Sequence, residues 1–196
     1  MILSSWEAIR KSGVPQVGGK AWNLAQLAHC GFTVPDGMAI GAEGYRNWLT
    51  ASGLEKELLA TVQRPGMTPE SLSAITQRLA DTPTGLDLSS MPDGPLAVRS
   101  SAPQEDTADA SFAGIHASCL NVQGIDALEH AIRKVWCSIW TPQAIAYRER
   151  IGLAHAAAAM AVLIMPLIPA QISGIAFTRD PISGRDDRLF IHATYG

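Results

Sequence analysis

Two short stretches of this 196-residue chain carry residue types that can do chemistry. In "QVGGKAW", residues 16–22, paired glycines lead into a helical pattern that opens with Lys20. A helix start is electropositive and carries N–H groups without intrahelical partners, so it favours an anion and disfavours a cation. A lysine there suits a phosphate held between glycine N–H groups and the ammonium. It suits equally a glycine turn before a surface helix whose lysine reaches into water, and taken alone that simpler account is the stronger. The stretch is not a GxxxxGK[ST] loop, because the spacing fails and Ala21 stands where the hydroxyl belongs.

The second stretch is "LAVRSSAPQEDTADASFAG", residues 96–114. An apolar strand delivers Arg99, followed by the hydroxyls of Ser100 and Ser101 and a proline turn. Arginine at a strand end offers planar, bidentate donors matched to a phosphate. Glu105, Asp106 and Asp109 have the chemistry to hold a metal, to pair with Arg99 or to lie in solvent. A structural or solvated role is favoured, because hard cations need oxygens converging from several directions. Gly114 is a place where backbone can approach a ligand closely.

The elements that must position these residues follow from pattern. Residues 19–30 read as a helix stopped by Gly31, and "FTVPDGMAI" as a short strand broken by Pro35. Helices are predicted over 42–61 and 69–80, the latter capped by Thr68 with Pro69 in its first turn. Residues 81–95, rich in turn formers, are the candidate linker. "LAVRSS" reads as a strand, "SFAGIHASCLNV" as an extended stretch, and Ile125–Trp140 as a helix with one apolar face. Thr141-Pro142 opens another helix through Arg150, with "RERIG" as its solvated end. "MAVLIMPLI", "SGIAFTRD" and "RLFIHATYG" then alternate with turns at hairpin-like spacing, which predicts antiparallel pairing. The chain reads as α+β, with Trp22, Trp48, Trp136 and Trp140 in the core.

Composition narrows the function classes. The chain is 47% hydrophobic and 17% charged with a net charge of −3, so it is folded and offers no bulk attraction to nucleic acid or anionic membrane. Its three cysteines, Cys30, Cys119 and Cys137, form no CxxC pair and read as reduced core residues. No metal ligand set is assigned. The N-terminus lacks a signal-peptide layout, and the most apolar run, "AAAAMAVLIMPLI", is too short to span a bilayer as a helix. A soluble, cytoplasmic protein is expected.

Taken together, "VGGKAWNLAQLAHCGFTVPDGMAI", "AVRSSAPQEDTADASFAG" and "SGIAFTRDPISG" occur in an order and at spacings that resemble the phosphoenolpyruvate synthase, pyruvate phosphate dikinase and rifampin phosphotransferase family. The resemblance covers nearly the whole chain and is to the family's N-terminal nucleotide-binding region. It implies a partial ATP-grasp fold with an antiparallel or mixed sheet and packed helices. Residues 1–95 would form a helical, phosphate-loop part and 96–196 the α+β part of one region. It implies ATP as ligand, with Lys20 and Arg99 on its phosphates, and Gly114 and Ser118 lining the nucleotide site. Mg2+ would accompany the nucleotide, its ligands outside this chain. The reaction implied passes a phosphoryl group from ATP through an enzyme histidine to pyruvate or another acceptor. Its partners are a swivelling phosphohistidine domain and a phosphoenolpyruvate- or pyruvate-binding domain, in a longer chain or a separate polypeptide.

The chain departs from the family pattern in two places. Met165 stands for a nucleotide-contacting glutamine and Pro166 for an arginine, and Pro166 predicts a strand that is locally unpaired or at an edge. The sequence stops at "HATYG", about where the family continues into the second half of the fold. These 196 residues alone are expected to bind ATP weakly and not to complete a turnover. The alternative is a non-catalytic nucleotide-binding or regulatory module derived from the same fold. The histidines sit in no stretch resembling the family's phosphoryl-accepting motif and read as packing or surface residues.

Overall fold

A computed structural model describes residues 2–103, 106, 107, 110, 111 and 116–195. Gly114, Glu105 and Asp109 lie outside the described residues. Two compact units are present, Met1–Pro166 and Leu167–Gly196.

The first unit is built on a five-stranded sheet. Its strands are β1 (Ile2–Leu3), β2 (Met38–Ile40), β3 (Leu96–Ser101), β6 (Ser118–Val122) and β7 (Ala161–Pro166), with β4 (Asp106–Thr107) and β5 (Ala110–Ser111) forming a separate small pair. The spatial order is β1-β2-β7-β3-β6 and every neighbouring pair is antiparallel. The described residues of this unit also form α1 (Trp6–Ser12), α2 (Val14–His29), α3 (Ala42–Ala51), α4 (Glu55–Gln63), α5 (Pro69–Asp81), α6 (Ile125–Cys137) and α7 (Pro142–Arg150). The architecture is α+β.

Alternation along β3 and β7 separates two cores. On one face Leu163 and Met165 pack with Val17, Ala21 and Ala25 of α2, with Ile9, and with Ala39. On the other, Val98, Val122, Val162 and Ile164 pack with α3, α4, α5 and α6. That larger core holds Tyr45, Trp48 and Trp136, with Trp48 and Trp136 ring centroids 4.9 Å apart. The Trp140 indole N–H donates to the Tyr45 hydroxyl at 2.8 Å. Buried aromatics of this kind carry much of a domain's apolar burial while satisfying their polar tips.

Several sequence expectations change in detail. The helix predicted over 42–61 is two helices, because the chain turns at Gly53 with φ +69. The helix from Ile125 ends at Cys137, continues as a 3-10 turn over Ser138–Trp140, and leaves Ile125 itself 56% exposed. The strand at 32–40 shrinks to Met38–Ile40. Thr84 and Leu88, within the candidate linker, are buried in the fold. Trp22 is only half-buried, and Cys30 is exposed rather than in the core; all three cysteines are free. Both Thr-Pro helix starts occur where pattern puts them: Thr68 accepts from the Ser71 N–H and Thr141 from the Ala144 N–H.

Pro166 resolves as half of its expectation. β7 is an interior strand, yet Pro166 is its last residue, paired with Leu96 on one side. On the other side the ladder to β2 stops at Met38 and Ile164, so no donor is missed there.

The second unit is a hairpin of β8 (Ile172–Phe177) and β9 (Phe190–Tyr195), in register from Ile172 opposite Tyr195 to Phe177 opposite Phe190. Its turn is fixed by Asp180, whose carboxylate accepts from the Ile182 and Ser183 N–H groups. Every residue of both strands is exposed.

Candidate functional site

The glycine turn and the arginine strand meet. Within α2 the helix breaks at Gly18, where φ is +75 and ψ is 165, and restarts at Gly19. The break brings the chain against the end of β3: a β-carbon on Gly18 would stand 2.0 Å from the Ser101 carbonyl oxygen. Ser101, fully buried, then serves both halves of the helix. Its hydroxyl donates to the Val17 carbonyl at 2.7 Å and accepts from the Ala21 N–H at 3.1 Å. A residue distant in sequence thus takes the part of an N-cap.

Gly19 gives its N–H to the Ala102 carbonyl, at 3.4 Å. This corrects the reading in which that glycine N–H cradles an anion. The glycines fasten the helix to the strand, and Lys20 follows directly in the restarted first turn.

Arg99 lies two residues before Ser101 on β3, hence on the same face of the sheet as the start of α2. It is exposed, whereas the other β3 residues are buried. Directly opposite it on β6 stands Ser118, also exposed. Facing residues on antiparallel neighbours project to the same side with β-carbons about 4.5–5.5 Å apart. Beyond this pair β6 carries a bulge, with Asn121 at φ +56, where the register to β3 shifts between Val98 and Leu96. Lys20, Arg99 and Ser118 are therefore assigned to one side of one sheet, by three separate elements. Gly114, the fourth residue singled out, falls outside the described residues.

Met165 is 9% exposed and packs in the α2 core, opposite Ala97 on β3. Its thioether fills a gap among aliphatic side chains, where an amide would need hydrogen-bond partners.

Two buried or half-buried titratable side chains, Arg148 and His116, escape the sequence reading. Arg148, read from "RERIG" as part of a solvated helix end, is 2% exposed. It donates from Nη1 to the Ile139 carbonyl at 2.5 Å and from Nε to His155 Nδ1 at 3.4 Å, and its guanidinium stands 5.1 Å from the Trp140 ring centre. Burial lowers its pKa to about 10, which leaves it charged at neutral pH. The signal was its spacing from Ala144 and Ile145, the buried residues of the same helix. His116 is held near pKa 4, first by burial and then by the charges of Lys20 and Arg148. At neutral pH it is an uncharged imidazole within reach of two cations.

Among the described residues no group of three or more His, Cys, Asp or Glu has the placement to hold a metal ion. No helix among them is long and apolar enough to cross a membrane.

An exposed arginine and serine thus face one another beside a glycine-fastened helix that opens with lysine, within an α+β domain. The particular family is clear from comparison: residues 14–196 match the profile of the pyruvate phosphate dikinase AMP/ATP-binding domain, and the chain belongs to that family. It is 30% identical to the phosphoenolpyruvate synthase of Aeropyrum pernix, with 97% of this chain and 26% of that protein aligned. Against the phosphoenolpyruvate synthase of Neisseria meningitidis serogroup B the identity is 32%, covering 97% and 27%. Against a probable phosphoenolpyruvate synthase of Methanocaldococcus jannaschii it is 28%, covering 100% and 18%. The chain thus spans roughly a fifth to a third of the length of the curated relatives it matches.

Proposed function

We propose that this chain is the ATP-binding portion of a phosphoenolpyruvate-synthase-like phosphotransferase, with Lys20 and Arg99 neutralising the nucleotide's phosphates. The observation that carries this reading is the shared sheet face: Arg99 and Ser118 are register partners, and two residues along β3 Ser101 anchors the helix that bears Lys20. Arginine supplies two parallel donors to phosphoryl oxygens, lysine a compact charge, and Ser118 a hydroxyl donor. Gly114 is assigned to the same site, where the lack of a side chain lets backbone approach the nucleotide.

In this proposal residues 1–95 and 96–196 serve one ATP-grasp-type region. The whole protein transfers a phosphoryl group through a histidine of a swivelling domain to pyruvate or another acceptor. Phosphoryl transfer asks mainly for positioning and charge stabilisation, and that is what these residues offer. Mg2+ would accompany the nucleotide on ligands outside this chain, and no step here is assigned to it.

Calorimetric titration with ATP and adenosine tests the proposal. ATP should bind more tightly than adenosine, and the difference should shrink in Lys20→Ala and Arg99→Ala. Equal affinities for the two ligands would refute it.

A further inference from the structure

A cavity of about 660 Å3 lies away from Lys20, Arg99 and Ser118. It opens between α5, α6 and the start of α7. Leu72, Ala80, Ala117 and Trp140 give it an apolar floor, and Trp140 is fixed by its bond to Tyr45. Along one wall α6 contributes His130, Arg133 and Lys134. No aspartate or glutamate is among the described residues lining it. Asp81, near Cys137, accepts from the Gln77 side-chain amide at 3.2 Å. Pro69 and Pro142, the first residues of α5 and α7, complete the rim.

One donor in this wall is unused. The Arg133 Nε–H is buried and has no hydrogen-bond partner among the described residues. Buried donors of this kind are rare in folded proteins. The neighbouring Cys137 does not supply an anion: burial pushes its thiol up to about 12, so it contributes neutral, apolar surface.

We propose that this cleft is a second ligand site, for a small amphipathic organic anion whose carboxylate or sulfonate meets Arg133 while its apolar body lies on Leu72, Ala80 and Trp140. Its size falls in the usual range for small-molecule sites, and its mostly apolar lining with a few convergent polar groups has the ordinary composition of one. The site is independent of the nucleotide proposal, because α6 packs on the sheet face of Val98 and Val122, opposite the face of Arg99.

The test is a pair of titrations of the 15N-labelled chain followed by amide shifts, one with 2-naphthoate and one with neutral 2-naphthalenemethanol. Naphthoate should shift amides within 69–80 and 130–142 in a saturable way and bind more tightly than the alcohol. Arg133→Gln should raise the naphthoate Kd about tenfold and leave that of the alcohol within about twofold, since only the charge-assisted bond is lost. Gln77→Trp, at an exposed position on the mouth, should weaken both ligands with the spectrum otherwise unchanged. Saturating Mg-ATP should leave the naphthoate Kd where it was, whether or not ATP occupies the Arg99 face. Shifts confined to other regions, no preference for the anion, or an Arg133→Gln Kd equal to that of the parent would each overturn the proposal.

Discussion

Gly18 and Ser101 touch through their backbones, and the serine hydroxyl binds the helix on either side of the glycine. No side chain fits between them, and the glycine's positive φ disfavours any other residue independently.

Gly18→Ala should therefore separate α2 from β3. The expected loss is about 3 kcal/mol or more, combining overpacking with an unfavourable backbone conformation. Ser101→Ala keeps the close approach but forfeits two buried hydrogen bonds, for about 1–3 kcal/mol. Urea unfolding of both variants checks the order: the glycine variant should have the lower midpoint.

Lys20→Ala and Arg99→Ala should each weaken ATP binding roughly 10- to 100-fold, on the scale of a lost charge-assisted contact, with little change for adenosine. Arg99→Lys should recover only part of the loss, because an ammonium cannot make two parallel bonds. Isothermal calorimetry with both ligands provides the readout. An equal loss for adenosine would move both residues off the phosphates.

His116 makes stability depend on pH with a defined sign. Its folded pKa of about 4 lies below the ordinary 6.5, so between those values the unfolded chain binds more protons. The stabilisation is complete above about pH 6.5, falls as pH drops towards 4, and by linkage amounts to at most about 3 kcal/mol. His116→Asn should flatten this part of the curve, seen as a smaller difference in denaturation midpoint between pH 7 and pH 4.5. If a polyanion occupies the neighbourhood of Lys20, saturating Mg-ATP should raise the His116 pKa, measurable by NMR of its ring protons.

Met165→Gln should destabilise this chain. Although the resemblance puts a glutamine there, the methionine is 9% exposed among aliphatic side chains. Burying an unpartnered amide costs about 1–3 kcal/mol by mutational measures. Thermal denaturation should show a lower Tm for the variant; an unchanged Tm would mean the amide finds partners or solvent.

Local patterns in the sequence had local outcomes. Thr68-Pro69 and Thr141-Pro142 both start helices, because capping is decided within one turn. Gly53 was a weaker signal, and the helical pattern around it ran on through a real break. The strand order β1-β2-β7-β3-β6 was not readable, since it joins residues more than a hundred positions apart. The opposition of Arg99 and Ser118 depends on that order and on register, although the residue types were visible beforehand. Arg148 reads as solvated by its charge but as buried by its spacing; a long aliphatic stem with a hydrogen-bonded head can be buried when its helix face demands it.

The position of β3 inside the sheet has a mechanical consequence. With β7 laddered along one side and β6 along the other, the backbone under Arg99 can come loose only when the sheet itself opens. The guanidinium thus swings from an immobile mounting, and an anion that meets it need not spend association energy on freezing the chain beneath. In the proposed site, adjustment is left to the two side chains, each a charged head on a flexible aliphatic stem.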